Sequence, residues 1–98
     1  MTFFCKLLGP RADFAQTMTG AERQLMGQHA VYWRQGIEQG HVIGFGLVAD
    51  PRGAFGMGVV EFDSEAEARA FTDGDPVIRS GQGFAFEIAP MPMGMVRG

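Results

Sequence analysis

The sequence predicts a small α+β domain whose elements run strand, helix, strand, strand, helix, strand. This is the ferredoxin-like βαββαβ order, a four-stranded antiparallel sheet with two helices on one face. Three observations carry that expectation. Two capping boxes, Thr19-Gly20-Ala21-Glu22 and Ser64-Glu65-Ala66-Glu67, each open a helical segment. Asp50-Pro51-Arg52-Gly53 has the residue preferences of a type I turn and joins two β-rich runs. Apolar, aromatic runs begin and end the pattern.

Thr2 to Leu8 reads as the first strand, closed by Gly9-Pro10, and residues 10 to 18 read as loop. At the first box the Thr19 hydroxyl can accept from a free amide of the first turn, while Glu22 reaches back to the Thr19 amide. That helix runs to about Gln39, with Gly40 as its C′ stop. His41 to Ala49 and Phe55 to Asp63 form a hairpin in which Phe45 faces Gly58 and Leu47 faces Gly56. The second helix ends near Asp73-Gly74. Asp75-Pro76 opens a one-turn element that Gly81 can close, and Gln82 to Ala89 is the last strand. Right-handed crossovers place the first and third strands at the centre of the sheet. Residues 1–98 then form one domain, with 91–98 as a Met-rich tail.

The central strands are apolar on both faces, as in Phe3-Phe4-Cys5 and Gly58-Val59-Val60. The helices cover one face, so a second copy is the simplest cover for the other, and a homodimer is expected. Lys6, Glu61 and Glu87 interrupt these strands. They form either one cross-strand row, with Lys6 in the middle, or three independent rim charges.

Composition narrows the function classes. In 98 residues there are nine Phe, 46% hydrophobic and 19% charged residues, which excludes a disordered chain. A net charge of −3 gives no basic footprint, so no nucleic-acid partner is expected. No apolar run is long enough to span a bilayer, and the N-terminus lacks the basic region of a signal peptide, so no membrane partner and a cytoplasmic location are expected. Cys5 is the single cysteine and reads as a buried, inert thiol. Neither His29 nor His41 has further ligands at metal spacing, so no metal or other cofactor is expected.

Two residues stand out for chemistry. His29 lies at the centre of the first helix's apolar stripe, beside Leu25, Met26, Tyr32, Trp33 and Gly36, and points at the sheet. It is either a core histidine satisfied by backbone or a general base in a pocket, since an imidazole of pKa about 6.5 exchanges protons at neutral pH. Asp75 is placed to cap the turn that Pro76 begins. Its second oxygen could also orient a histidine, as aspartate does in hydrolase triads. Asn at 75 would keep the cap and lose the charge. His41 reads as a strand-end residue, and Ser64 and Ser80 lack an adjacent base. The strand glycines either make room for large neighbours or mark the close approach of a ligand.

Quoted together, Gln28-His29-Ala30-Val31-Tyr32-Trp33, Val60-Glu61-Phe62-Asp63-Ser64-Glu65-Ala66-Glu67-Ala68 and Asp73-Gly74-Asp75-Pro76-Val77-Ile78-Arg79-Ser80-Gly81 resemble the YCII-related (YciI-like) family over nearly the whole chain. The most specific parts are the helix histidine and an Asp-Pro followed by Ser-Gly. The resemblance implies a dimeric α+β barrel and a His29–Asp75 catalytic pair. Beside that pair, Trp33 is expected as a pocket wall and Arg79 as a second substrate-binding residue. The resemblance further implies a small-molecule ligand and cofactor-free acid/base chemistry, an elimination or isomerisation of a small cyclic or phenolic compound. The alternatives are a module that binds a small metabolite without turning it over, and a dimerising structural domain. The glycine-rich third strand and the Met-Pro-Met-Gly-Met tail depart from the family pattern.

Overall fold

The computed structural model describes residues 1–92. Its elements are β1 (Thr2–Leu8), α1 (Phe14–Thr17), α2 (Gly20–Glu38), β2 (Val42–Val48), β3 (Phe55–Glu61), α3 (Glu65–Asp73), α4 (Pro76–Arg79) and β4 (Ala85–Pro90). The strands form one antiparallel sheet of order β2-β3-β1-β4, with β1 and β3 central as expected. The Met-rich tail lies, from residue 93 onward, outside the described residues.

The hairpin closes through Gly53 N–H donating to Asp50 O at 3.0 Å. It sets the expected register, Phe45 opposite Gly58 and Leu47 opposite Gly56. Side chains alternate across β1: Phe3, Cys5 and Leu7 are buried toward the helices, while Phe4, Lys6 and Leu8 are half-buried on the other face. The core on the helix side joins Phe3, Cys5 and Val60 of the sheet to Trp33 of α2 and Ala68 of α3. Close approach of α2 needs two glycines. A Cβ at Gly36 would lie 2.5 Å from Val42 Cγ2, and one at Gly58 would collide with the Trp33 ring.

Four expectations need correction. Residues 10–18 are not all loop, because Phe14–Thr17 make one turn of helix, α1. Tertiary contacts hold it: Phe14 is buried edge-on against Phe84 at 5.2 Å. Arg11 also ties the segment to α2, donating to Thr17 O at 2.7 Å and to both Glu22 carboxylate oxygens at 2.9 and 2.7 Å. A single turn has no periodicity to betray it in sequence.

The second capping box is half formed. Ser64 Oγ accepts from Glu67 N–H, but its hydroxyl also donates to Glu67 Oε1, so that carboxylate does not return to the backbone. The box at Thr19 is complete. β2, β3 and β4 are shorter than the residue pattern suggests, because chain leaving the sheet keeps its composition after losing its partner. The charged row is broken too. Lys6 pairs in register with Glu87 and Met57, whereas Glu61 sits opposite Thr2. The Lys6 ammonium lies over the Phe55 ring, 4.5 Å from its centroid. Among the described residues no helix is long and apolar enough to cross a membrane.

Candidate active site

α2 and α4 pack against each other, and Asp75 lies at their junction. Asp75 is the N-cap of α4, with extended backbone and Pro76 following, and its Oδ1 accepts from Val77 N–H at 3.0 Å. The carboxyl is fully buried. Its other oxygen, Oδ2, meets two groups one helical turn apart on α2: His29 Nδ1 at 2.6 Å and the Trp33 indole N–H at 2.7 Å. A buried carboxyl group is tolerable only with such partners, and three nitrogens surround this one.

The shared oxygen fixes the imidazole. An indole nitrogen can only donate, and the Val77 amide can only donate, so both carboxylate oxygens act as acceptors. With Asp75 as a carboxylate, the tautomer that completes the contact carries its proton on Nδ1 and leaves the Nε2 lone pair free. The His29 side chain retains 12% exposure.

That exposure opens on a cavity of about 350 Å³ between α2 and the sheet. Met26, His29 and Ala30 of α2 form one wall. Leu7, Phe45, Leu47 and Gly56 form the sheet side. Phe14, Ala15 and Met18 close the end, so the α1 segment held by Arg11 is a wall of the cavity. Among the described residues no Lys, Arg, Asp or Glu lines it. The surroundings are suited to a mostly apolar guest, with His29 the only titratable side chain in contact among the described residues.

The structure thus brings His29 and Asp75 together. Trp33, expected as a pocket wall, is 1% exposed and does not line the main cavity. It is packed between Phe71 and Phe86 at ring separations of 5.0 and 5.8 Å, and its polar atom is committed to Asp75. Arg79 ends α4 in an exposed position and does not line the cavity either. Its charge acts on Tyr32, partly offsetting burial and the Asp75 charge, which together raise the Tyr32 phenol above its ordinary value. Tyr32 has a structural role, donating to Phe71 O at 2.6 Å.

His41 is exposed at the end of α2 and stacks on Phe62, away from the site. Cys5 is buried in the core, and burial pushes its thiol up to about 11, leaving it an unreactive packing group. No cluster of three or more potential metal ligands occurs among the described residues. Sequence reasoning missed Phe14, Met18 and Phe84 as cavity residues. They lie in segments read as loop or strand end, and only the fold gathers them.

The YCII-related domain model matches residues 3–92. The chain belongs to the YCII-related domain family. Among solved structures the chain is similar to a 5-chloro-2-hydroxyhydroquinone dehydrochlorinase from Burkholderia phenoliruptrix, in complex with 2,5-dihydroxybenzoquinone. Identity is 18%, the alignment covers 94% of this chain and 95% of that one, and the TM-score is 0.64. At that identity the likeness speaks for the fold. Among curated proteins there is no significant match.

Proposed function

We propose that this YCII-related protein is a cofactor-free acid/base enzyme acting on a small cyclic or phenolic compound. The observation that carries the reading is the 2.6 Å contact between buried Asp75 and His29, at the wall of a cavity otherwise lined by apolar side chains. The Burkholderia neighbour, whose ligand is a dihydroxybenzoquinone, adds support for that substrate class.

In this reading the ring of the substrate packs among Phe45, Leu7 and Met26, with a hydroxyl or an acidic C–H facing His29 Nε2. Nε2 takes the proton, and Asp75 stabilises the imidazolium through Nδ1–H without itself accepting the proton. In an isomerisation the proton returns to a different atom of the same molecule. In an elimination the released electron pair expels a leaving group with its bonding electrons, and the proton passes from Nε2 to water. Trp33 is a positioning residue, because its indole N–H holds the oxygen to which His29 is bound.

A partner copy belongs to the same reading. Phe4, Met57 and Val59 share the sheet face away from the helices, where they are only half-buried in the single chain. We read that face as a homodimer interface.

The test uses 5-chloro-2-hydroxyhydroquinone and phenol as probes, with wild type and His29→Ala. Binding is followed by the ring-nitrogen resonances of His29 and the indole N–H of Trp33, and elimination by chloride release. The reading expects binding that shifts His29, and any chloride release to disappear in the variant. Chloride release at wild-type rate from His29→Ala, or probes that leave His29 undisturbed, would overturn it.

A further inference from the structure

The inner face of β3 carries two glycines where alternation calls for inward side chains, Gly56 and Gly58. The space above Gly58 is occupied by the Trp33 ring. The space above Gly56 is bordered on one side by the Leu7 side chain, whose Cβ, Cδ2 and Cγ lie 3.2, 3.6 and 3.9 Å from where a Cβ would sit. Beside it is a niche of about 20 Å³ that both residues line.

The niche opens off the main cavity. Leu7, His29, Phe45, Gly46 and Gly56 border both, and Trp33 and Phe86 close the far side. A void of this size takes one water-sized group. Water is a poor occupant, because a buried water needs two to four polar partners. The Trp33 indole N–H is already spent on Asp75, and so is His29 Nδ1. Gly56 lies in the sheet between Leu7 and Leu47, its neighbours on β1 and β2. Only the remaining edge of His29 could serve a guest there.

We propose that this niche is a subsite for one small apolar substituent, a methyl group or a halogen, on the ring of the ligand, and that Gly56 determines that preference. The proposal rests on the reading of the cavity as the ligand site. The niche borders His29, so the substituent enters it while the ring remains beside the imidazole. Any side chain at 56 would take the same space.

Phenol, the three cresols and the matching ethylphenols are the probes, titrated against the full chain with the His29 and Trp33 resonances as readout. At least one cresol is expected to bind about fourfold more tightly than phenol, the factor that burial of one methyl contributes. Gly56→Ala should erase that advantage, bringing the cresol-to-phenol affinity ratio down to about one. Phe86→Leu enlarges the niche from its far side without touching the main cavity. It should move the preference from the methyl to the ethyl compound of the same substitution pattern. If no cresol outbinds phenol, or Gly56→Ala keeps the advantage, the niche proposal is wrong while the cavity reading stands. Should Gly56→Ala not fold, Phe86→Leu decides alone, and an unmoved methyl preference overturns the proposal. If neither phenol nor any cresol binds, the cavity reading falls and the niche with it.

Discussion

At the scale of single residues, Asp75 does more than its sequence context suggests. Read as a helix cap, it should tolerate Asn, which caps about as well. In the structure Oδ2 accepts from a buried indole, and an amide NH₂ placed there cannot accept. Asp75→Asn should keep the α4 turn yet leave Trp33 N–H unpaired, at a cost of about 1–3 kcal/mol. Thermal melts together with the indole N–H chemical shift check this. His29→Ala is the milder change. Asp75 keeps its Trp33 and Val77 donors, and the imidazole already borders open space. The expected loss is about 1 kcal/mol or less, measured by denaturant unfolding at fixed protein concentration. A far larger loss would mark His29 as a packing residue.

Glycines show how one residue type divides into different roles. Gly58→Ala drives a methyl group into the Trp33 ring, so a destabilisation of about 1–3 kcal/mol is expected. Gly44→Ala meets nothing within 4 Å and should change chain stability by less than about 0.5 kcal/mol. Chemical denaturation of the two variants side by side separates them. The strand pattern announced that these glycines were unusual. It could not say which one faces an indole, because that depends on how α2 lies across the sheet.

Among elements, the informative one is α1 with its tether. Arg11 holds Glu22 by two hydrogen bonds, and the Thr19 amide adds a third to the same carboxylate. Those bonds, with that from Arg11 the largest influence, lower the Glu22 carboxyl from 4.5 to about 2. A carboxyl group depressed in the folded state binds fewer protons there than in the unfolded chain. Its stabilisation is therefore complete above the unfolded value of about 4.5 and is lost as pH falls toward 2. Melting temperatures across that window should fall for wild type, and Glu22→Gln should lack this part of the fall. A mutant curve parallel to wild type would show the tether to be inert. The same tether holds one wall of the cavity, so Arg11→Ala should also raise amide exchange across residues 14–17.

For the molecule as a whole, the deciding feature is the outer sheet face. Phe4, Met57 and Val59 alternate out of the core yet are apolar, which a solvated antiparallel sheet does not require. The dimer reading expects twice the chain mass by light scattering at micromolar concentration and a melting temperature that rises with protein concentration. Met57→Glu, on that face, should give a folded monomer. A monomeric wild type with a concentration-independent melt would refute the interface.

The sequence by itself determined the order of elements, the turn and register of the hairpin, the complete cap at Thr19 and the central placement of β1 and β3. Each is written in contacts between near neighbours or in periodicities of two and 3.6 residues. It also singled out His29 and Asp75 as residues of interest, because a polar group on an apolar helix face and an Asp-Pro helix start are local signals. Tertiary structure alone decided that a single carboxylate oxygen serves both His29 and Trp33. It also decided that Arg79 lies away from the cavity, that residues 14–17 are helical, and that Gly58 lies under the Trp33 ring while Gly56 borders the cavity. The physical reason is the same in each case. These facts depend on where α2, α4 and the sheet come to rest against one another, and contacts between residues 42 and 46 positions apart leave no period in the chain.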